Sequence, residues 1–553
     1  MRHLISTTAW FMAMGSAAAQ TIYRPVMCSQ DSQGNQVCVT TQPNQNVCGL
    51  VQGDGFFPDA LLHCDDVVVQ KTTPDGRTIY THVLGGESDQ VPSQFIFDAQ
   101  DNVVLFGTTY SKRFPVTPDA AQSSYAGPQP PAAVNSHYTP LPPGGDLFLS
   151  ILGPSGDLLY STFLGSSGND TMLGVRAAPN GQVDVLAGPG ASDFPVVPAG
   201  TATLSSGPVL LTFDLNRRTI VRSGYLPIAP PGIAVAYNAS IQDAETVAVS
   251  TLGGLYRFGR DGQQRMFASL ESFEFSSAPG ASTDPAGDVW LVGSNKNGQL
   301  LVAKLTAGTV EAFRWTLPVA NDRPSSPAYL LPPFFGPDGL TYLGGATLIP
   351  NATGNGKLLS TTPNAMLEAP CFPTFSGIMA VLSAQGEVKM LTYLASDATS
   401  FAANPDGSVS VTLSDASKSP VHGTRIPVDL SQDPKAACVM DSLDRSSSPP
   451  PTFGVGQIVR LLGGGFGPDS PVSTAPGPDR HFPTSLSDLA VDVGGFAAPI
   501  LSAGPGEVVF AIPFEVAESD SIPVVVKDHG RQSASLQIPV RAAAPWPVEQ
   551  VLN

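Results

Sequence analysis

Charged residues are scarce in this chain of 553 residues, at 13% of the sequence against about 25% in typical soluble domains. Basic residues are the scarcer kind, since 28 Lys and Arg stand against 46 Asp and Glu and the formal net charge is −18. Binding to nucleic acid or to an anionic membrane surface requires clustered Lys and Arg. The composition therefore predicts neither nucleic acid nor an anionic membrane as a partner.

Beyond the N-terminus the chain also lacks any apolar run of the length, about 18 residues, that a membrane-spanning helix needs. The N-terminus has a basic start at Arg2, an apolar stretch over residues 4–14 and three alanines at residues 17–19. This order is typical of a signal peptide, so residues 1–19 are predicted to be cleaved off after Ala19. Because Gln20 rather than Cys follows, we expect no lipid anchor. The sequence predicts a secreted, periplasmic or cell-surface protein without an integral membrane segment.

Catalytic signatures are missing as well. The seven His residues form no His-Glu-x-x-His pair, and no Gly-x-Ser-x-Gly elbow occurs. The Gly-rich run at residues 463–467 lies outside any strand–helix–strand pattern, which excludes a dinucleotide fingerprint. Four Trp are too few for a propeller that holds a quinone cofactor. We therefore predict no catalytic, cofactor-binding or metal-binding residue, and an enzyme is the less favoured interpretation.

Six cysteines fit an oxidising compartment. The spacing favours two local bridges in a Cys-rich N-terminal segment, residues 20–66, and one bridge far downstream. The four N-terminal cysteines allow three pairings, between which the sequence does not choose. A zinc site is disfavoured because no Cys-x-x-Cys pair occurs and His63 is the one His nearby. The candidates for disulfide bonds are Cys28, Cys38, Cys48, Cys64, Cys371 and Cys438.

What the chain has in abundance is turn residues, with 55 Gly and 53 Pro among 42% hydrophobic residues. This composition is typical of many short strands joined by turns, so an all-β fold is expected. A long pattern also occurs twice, at residues 75–118 and 156–198: a strand-like run ends in Leu-Gly, a second apolar run follows, and a Phe-Pro-Val closes the copy. Such a period predicts an array of supersecondary units.

Two kinds of segment extend this repeat. Hairpin patterns lie at residues 67–85, 147–165, 209–226, 254–270, 300–317 and 378–394. A second kind, also two short strands, follows each of them at residues 97–109, 177–188, 240–253, 282–294, 335–345 and 402–414. If each hairpin joins the segment after it, the chain has six four-stranded units, which predicts a β-propeller at residues 67–440. Residues 26–39 could supply strands to a seventh blade.

The repeats resemble a secreted bacterial β-propeller repeat family that is named for seven blades. Residues 160–165 (Tyr-Ser-Thr-Phe-Leu-Gly) match the family's first element, and residues 80–86 are a looser copy. The family's Asp-Phe-Pro tail is matched at residues 193–195 and 114–120, and more briefly at 361–365. The resemblance implies the propeller fold and secretion, and no residue with a chemical role follows from it.

Beyond the propeller the composition changes. Residues 441–452 are rich in Ser and Pro and are predicted to be a linker, and residues 546–553 a tail. Residues 453–545 show short alternating strands with frequent turns, which predicts a C-terminal Ig-like β-sandwich. Their Gly-rich start and their Val-x-Val-x-Gly and Ala-Pro elements resemble the C-terminal domain of secreted acidobacterial proteins of the Solibacter type. That resemblance implies a bacterial, exported protein.

Acidic residues in turns permit a calcium site, although no Asp-x-Asp-x-Asp-Gly loop occurs and calcium needs six to eight oxygen ligands. Asx turns account for the same residues, and we favour turns over calcium. The residues concerned are Asn169 with Asp170, Asp98 with Asp101, and Asp284 with Asp288.

Two functions remain open from the sequence. The first is a non-enzymatic binding protein whose propeller presents long loops, at residues 111–145 and 346–375, to an extracellular polysaccharide, peptide or cell surface. Loops of this Pro-rich composition can also be inert. The second is an extracytoplasmic lyase, lactonase or glycosidase whose catalytic groups meet at the central funnel from several blades. Carboxylates or His residues at the funnel would favour the second.

Overall fold

The computed structural model describes residues 27–44, 50–51, 60–61, 65–128, 145–198, 207–228, 235–296, 300–306, 310–316, 331–348, 360–371, 375–396, 398–413, 424–442, 452–478 and 480–542. Within these ranges the regular elements are β-strands and two single-turn 3₁₀ helices, Pro179–Gly181 and Glu271–Phe273. The prediction of an all-β chain is confirmed.

Seven antiparallel sheets follow one another along the described part of the chain, and in each of them neighbouring strands are consecutive within the sheet. The sheets are numbered here in chain order. Sheet 1 contains Met27–Gln30, Gln36–Pro43, Asp65–Thr72 and Thr78–Leu84; sheet 2 contains Gln90–Phe97, Val103–Thr109, Asp146–Leu152 and Leu158–Leu164. Sheet 3 contains Thr171–Ala178, Gln182–Gly188, Val209–Asp214 and Thr219–Tyr225; sheet 4 contains Tyr237–Ile241, Thr246–Thr251, Gly254–Gly259 and Gln264–Ser269.

The remaining sheets have the same up-and-down order. Sheet 5 contains Gly280–Thr283, Val289–Ser294, Leu300–Thr306 and Val310–Thr316; sheet 6 contains Phe334–Phe335, Thr341–Leu348, Phe375–Leu382 and Val388–Leu394. Sheet 7 has three strands, Ala398–Ala403, Val409–Leu413 and Thr424–Pro427. A short hairpin, Leu50–Val51 with Ala60–Leu61, stands apart from them. Successive four-stranded antiparallel sheets of this kind are the blades of a β-propeller, as predicted.

The pairing of the two kinds of segment differs from the prediction by one step. Each hairpin pattern was expected to join the two short strands after it, but it joins the two strands before it. The hairpin at Asp146–Leu152 and Leu158–Leu164, for example, continues the sheet that begins at Gln90–Phe97. This shift leaves the first hairpin without a preceding pair, and Met27–Gln30 with Gln36–Pro43 supplies it.

The first sheet therefore reaches into the segment that was predicted to be separate from the propeller. Gln36–Pro43 pairs along its whole length with Asp65–Thr72, so sheet 1 includes strands that lie before the boundary predicted at residue 67. Cys28 and Cys38 face each other across the two added strands and form a disulfide bond. Cys48 and Cys64 lie outside the described residues.

Burial explains why the middle strands read as continuous apolar runs. In sheet 2 every residue of Val103–Thr109 and Asp146–Leu152 is buried, because apolar clusters cover both faces of the sheet. One cluster joins sheets 1 and 2, a second joins sheets 2 and 3, and a third joins sheets 3 and 4. A strand buried on both faces loses the alternation that a one-sided strand shows. The fourth strand of sheet 3, Thr219–Tyr225, alternates and is partly exposed.

The chain divides into two compact units. The first contains residues 1–291, 306–310 and 416–421, and the second contains residues 292–305, 311–415 and 422–553. In the first unit the first strands of sheets 2, 3 and 4 and the strand Gly280–Thr283 lie side by side in chain order. They are called the inner strands below. In the second unit one apolar cluster joins sheets 6 and 7.

The C-terminal part of the second unit is a β-sandwich. One sheet has the order Lys435–Asp441, Ile458–Gly464, Glu507–Ala511, Ile500–Gly504 and Val472–Ser473. The other contains Phe453–Gly454, Leu536–Arg541, Ser519–Asp528, Leu489–Val493 and Ser485–Leu486, with Phe496–Ala497 and Arg531–Gln532 at its side. A single apolar cluster fills the space between them. Since Lys435–Asp441 pairs with Ile458–Gly464, the sandwich includes a strand that lies before its predicted start at residue 453 and mostly within the segment predicted as propeller, residues 67–440.

Candidate functional site

The Phe-Pro tail of the repeat covers the open edge of a sheet. In sheet 2 the connection between the second and third strands passes along the fourth strand, where Thr117 N donates to Ser161 O at 3.0 Å. Phe163 N donates to Gln122 O at 3.1 Å farther along. We call residues 117–122 the strap of sheet 2. Unpaired edges invite pairing with other chains, and a strap of this kind blocks it.

Two further straps occupy equivalent places. In sheet 6, Thr362 N donates to Leu391 O at 3.0 Å and Tyr393 N donates to Leu367 O at 3.1 Å. In sheet 3, Val197 and Ser223 exchange two backbone hydrogen bonds of 3.2 and 3.0 Å. The three tails that the sequence shows at residues 114–120, 193–195 and 361–365 thus share one structural role. In each of these three sheets a long connection joins the second strand to the third, and it begins and ends at the same end of the sheet.

The Leu-Gly element has a steric cause. In both full copies the glycine after the fourth strand lies against an aspartate within the first two residues of the third strand. A Cβ on Gly85 would lie 2.2 Å from Oδ1 of Asp66, and a Cβ on Gly165 would lie 2.6 Å from Oδ1 of Asp146. Each aspartate precedes its glycine by 19 residues, a signal that the sequence-based interpretation missed. Only glycine leaves room for the buried carboxylate.

At Gly165 a second carboxylate joins the first. Oδ2 of Asp170 would lie 2.8 Å from the same Cβ position, and both aspartates are fully buried. Asp170 accepts hydrogen bonds from N and Oγ of Ser166, both at 2.7 Å, and from Gly190 N at 3.1 Å. Burial raises the pKa of the Asp170 carboxyl to about 6, although these donors oppose the rise.

Asp146 is held on one side. Its Oδ2 accepts from Ala126 N at 2.7 Å and from Nε2 of Gln122 at 3.4 Å, which ties it to the connection that carries the strap. Its Oδ1 has no hydrogen-bond partner among the described residues. Burial is the main cause that raises the pKa of the Asp146 carboxyl to about 7, and the charge of Asp170 adds to the rise.

The first copy of this turn has a different polar residue. Gln90 takes the place of Asp170, and its Nε2 donates to Ser88 O at 2.6 Å and to Oγ of Ser111. Asp66, the counterpart of Asp146, accepts from Nδ2 of Asn44 at 2.8 Å. Burial raises the pKa of Asp66. The two copies share a backbone design, and only the second brings two carboxylates together.

If the protein were an enzyme, the inner strands of the first unit would be expected to carry acidic or basic side chains. Their sequences contain no Asp, Glu, His, Lys or Cys. Their amides and hydroxyls bond to the next inner strand instead. Gln94 exchanges hydrogen bonds of 3.1 and 3.2 Å with the backbone of Val175, and Ser240 Oγ donates to Ala281 O at 2.8 Å. These four strands therefore offer no acid–base pair.

The one cationic side chain of the inner strands belongs to an ionic row. Arg176, Asp184, Thr212 and Arg222 face one another across the four strands of sheet 3. Asp184 accepts from Nε of Arg176 at 2.9 Å and from Nε of Arg260, which reaches over from sheet 4, at 2.7 Å. Although burial opposes it, hydrogen bonds from Arg260, Thr212 and Arg176 keep the pKa of Asp184 below its usual range. Asp184 is therefore paired with two arginines and one threonine.

The other turn acids considered for calcium form Asx turns. Asp98 Oδ1 accepts from Gln100 N and Asn102 N, both at 2.9 Å, and Asp284 Oδ1 accepts from Ala286 N and Asp288 N at 3.0 Å. Asp101 bonds to Ser32, and Asn169 accepts from Gly145 N at 3.2 Å. The described residues contain no group of three or more His, Cys, Asp or Glu arranged to hold a metal ion.

The downstream cysteines lie together: Cys371 is bonded to Cys438, in the first strand of the sandwich, the pairing that the spacing favours. His82, His481 and His529 are the His residues within the described ranges. Burial lowers the pKa of His82, which is in the fourth strand of sheet 1. Among the described residues no helix is both long and apolar enough to cross a membrane.

The chain matches no protein-family model and no curated protein. Solved structures with a similar arrangement include BamB from Moraxella catarrhalis, with 9% identity over 70% of this chain and 93% of that one and a TM-score of 0.33. A proposed 6-phosphogluconolactonase from Bacteroides uniformis has 10% identity over 66% of this chain and 93% of its own, with a TM-score of 0.34. Likeness at this level carries no information about activity.

Proposed function

We propose that this protein is an extracytoplasmic, non-enzymatic binding protein whose propeller presents its long connections to an extracellular partner. The observation that carries the proposal is the anchoring of the connection in sheet 2. The strap fixes residues 117–122, Asp146 holds Ala126, and Tyr125 Oη donates to Pro128 O at 2.8 Å. Residues 129–144 lie outside the described part, and the described residues on both sides of them, Pro128 and Gly145, are hydrogen-bonded to the scaffold. A loop with fixed ends on a rigid scaffold suits recognition.

Three further features support this proposal. The two disulfide bonds among the described residues suit an oxidising compartment. The inner strands of the first unit use their polar groups to bind neighbouring strands, which favours binding over hydrolysis or elimination at the funnel. The Leu-Gly and Phe-Pro elements also occupy equivalent places in consecutive sheets, in keeping with membership of the secreted propeller-repeat proteins that the sequence resembles, with an Ig-like domain of the Solibacter type after the propeller.

The chemistry of the loop indicates an uncharged partner. Residues 129–144 contain five Pro, one His and one Tyr, and no Asp, Glu, Lys or Arg. A Pro-rich loop loses little conformational entropy on binding, and Tyr supplies a rigid amphipathic contact. We therefore propose a neutral polysaccharide or an uncharged peptide segment as the partner.

The test uses the mature protein on a glycan array and in pull-downs against extracellular peptide and protein fractions. Replacing residues 130–143 with a short Gly-Ser linker is expected to weaken binding at least about tenfold, as loss of a central anchor does. The matched control alters Asn216 and Arg217 in the turn at the opposite end of sheet 3, and it should bind normally. Binding that survives the loop replacement contradicts the proposal. Turnover of a bound glycan or lactone by the intact protein would establish the enzyme alternative instead.

A further inference from the structure

The ionic row of sheet 3 ends in an arginine without a partner. Arg176, Asp184, Thr212 and Arg222 lie opposite one another in consecutive strands, so their side chains share one face of the sheet. Arg176 donates to Asp184, and Oγ1 of Thr212 donates to Oδ1 of Asp184 at 2.7 Å. Within the described part of the chain, the guanidinium of Arg222 makes no hydrogen bond and no ion pair.

The partial burial of Arg222 makes its missing partner significant. Among the described arginines, Arg113 and Arg480 also have no side-chain partner, but both are exposed and water solvates them. Arg222 is partly buried. A guanidinium keeps its positive charge at physiological pH, so it cannot become neutral as a buried carboxyl can. A partly buried charge that is neither neutralised nor paired is unfavourable, which indicates a counterion from outside the chain.

The nearest carboxylate of the row is already shared. The row faces sheet 4, because Arg260 of that sheet donates to Asp184 with Nε at 2.7 Å and with Nη2 at 3.1 Å. Arg176, on the same face, donates its Nε to Asp184 as well. One carboxylate therefore balances two guanidinium groups, and none of its charge is left over for Arg222.

A turn of sheet 4 lies beside the last strand of sheet 3. A Cβ on Gly262 in this turn would be 3.9 Å from Cδ2 of Leu226, which places the turn next to the strand that carries Arg222. The turn also contains Asp261, which is paired with Arg265 at 2.6 Å. The second carboxylate near Arg222 thus has its own arginine.

The charges around Arg222 leave a positive excess. Burial lowers the pKa of Arg222, the charges of Asp184 and Asp261 oppose the fall, and the charges of Arg260 and Arg176 add to it. With Arg265 included, four arginines surround two aspartates that are both engaged with other arginines. An excess of this kind between two sheets is unexpected in a chain of net charge −18, and it attracts an anion.

We propose that Arg222 and Arg260 bind an oxyanion between sheets 3 and 4, supplied by a phosphate, sulfate or carboxylate group of an extracellular ligand. A free guanidinium offers two parallel N–H groups that match two oxygens of such a group. Nη1 of Arg260 has no partner among the described residues and supplies a further donor. The site lies in other sheets than the loop proposed above to bind a neutral partner, so it does not rest on that function.

The experiment measures thermal unfolding of the full-length mature protein in sodium phosphate, sulfate or acetate. Each anion is added at about 10 mM, and sodium chloride of equal ionic strength reports general screening. We expect at least one oxyanion to raise Tm by a few degrees more than chloride does. The anion with the largest effect identifies the chemical group, and calorimetric titration with that anion should give one site.

Substitutions locate the site. Arg222→Gln should remove the oxyanion response. Because Arg222 has no partner to lose among the described residues, the same variant should keep or raise the Tm measured in chloride. Arg222→Lys keeps the charge without the planar fork and should weaken binding at least about tenfold. The matched control is Arg217→Gln, which removes an exposed cation of the same sheet and should preserve the response.

Three results would overturn the proposal. Equal Tm values in all four anions would show that no oxyanion binds. A response that persists in Arg222→Gln, or disappears in Arg217→Gln, would place the ion elsewhere. If Arg222→Gln fails to fold, or unfolds well below the wild type in chloride, Arg222 stabilises the fold through a contact of its own and needs no ligand.

Discussion

At the scale of single residues, the repeat is defined by which atoms must fit together. At Gly85 and Gly165 a buried carboxylate fills the space that a side chain would need, so no larger residue fits there. The repeat therefore preserves an Asp–Gly contact across 19 residues of sequence. In sheet 6 the glycine at this end of the sheet is Gly377, in the third strand. It lies against backbone rather than a carboxylate, since Ser396 O is 2.0 Å from its Cβ position.

Replacing Gly85 with Ala should destabilise the first unit by about 1–3 kcal/mol, because the new methyl group overlaps Oδ1 of Asp66, which Asn44 holds in place. Thermal and urea unfolding measure the loss. Gly224→Ala is the matched control: its Cβ meets nothing within 4 Å, and removing backbone freedom there should cost no stability.

The same contact can be tested by a double-mutant cycle. Asp66→Ala removes the overlapping oxygen, so adding Gly85→Ala to it should cost much less than Gly85→Ala costs alone. Purely additive losses would show that the glycine is needed for another reason, such as the path of the backbone.

At the scale of elements, the strands and turns were predictable and their grouping was not. Alternating runs around Asp-Gly or Ser-Gly turns are local signals, and the hairpins they predict are present, as at Leu147–Leu152 with Leu158–Leu164. Whether a hairpin joins the strands before it or after it is a non-local choice, and shifting the choice by one step leaves the sequence period unchanged. In the structure Met27–Gln30 and Gln36–Pro43 belong to the same sheet as the first hairpin, so each hairpin joins the strands before it.

The buried carboxylates of Asp146 and Asp170 beside Gly165 show the same limit. Asp170 stood out in the sequence as a turn residue, and Asp146 did not stand out at all. They approach each other because the start of a third strand and the turn after a fourth strand lie at the same end of an antiparallel sheet. Their spacing along the sequence does not reveal that relation.

The Phe-Pro tails were visible in the sequence, but their role as straps was not predicted. In two of them a buried threonine of the fourth strand binds the strap: Oγ1 of Thr162 accepts from Gln122 N at 2.9 Å, and Oγ1 of Thr392 accepts from Leu367 N at 3.0 Å. The Ser-Thr-Phe run at residues 161–163 thus includes the residue that fastens the strap of sheet 2. Its removal should open the sheet edge.

We expect Thr162→Val to keep the side-chain shape but leave the amide of Gln122 unpaired, at a cost of about 1–3 kcal/mol. Hydrogen exchange should then accelerate in residues 117–122, and protease sensitivity should rise there. Thr219→Val, at an exposed position in the fourth strand of sheet 3, is the control and should change neither. Unchanged protection of the strap in Thr162→Val would mean that the backbone bonds alone hold it.

At the scale of the whole molecule, the strap of sheet 6 also joins the propeller part of the second unit to the sandwich. Glu368 N donates to Gly463 O at 2.9 Å, and Oε1 of Glu368 accepts from Gly465 N at 3.3 Å. A Cβ on Gly464 would lie 2.0 Å from Ala365 O. The Gly-rich run at the start of the sandwich, which the sequence shows as a motif without chemistry, thus permits close backbone contact with the strap.

The Cys371–Cys438 bond closes this contact covalently. It spans 67 residues of sequence, whereas Cys28–Cys38 spans 10 within one hairpin. In the chain-entropy model a cross-link stabilises more as the closed loop lengthens, by roughly 4 kcal/mol for the longer loop and roughly 3 kcal/mol for the shorter. Replacing both cysteines of a pair with Ser removes the cross-link without leaving a reactive thiol.

Cys371→Ser with Cys438→Ser should therefore lower the unfolding temperature of the second unit more than Cys28→Ser with Cys38→Ser lowers that of the first. Calorimetry measures both, and proteolysis should report new cleavage within residues 360–371 because Glu368 then holds the strap with hydrogen bonds alone. If both pairs cost the same and residues 360–371 stay resistant, the polar and backbone contacts with Gly463 and Gly465 are sufficient, and the bond adds little to the junction between strap and sandwich.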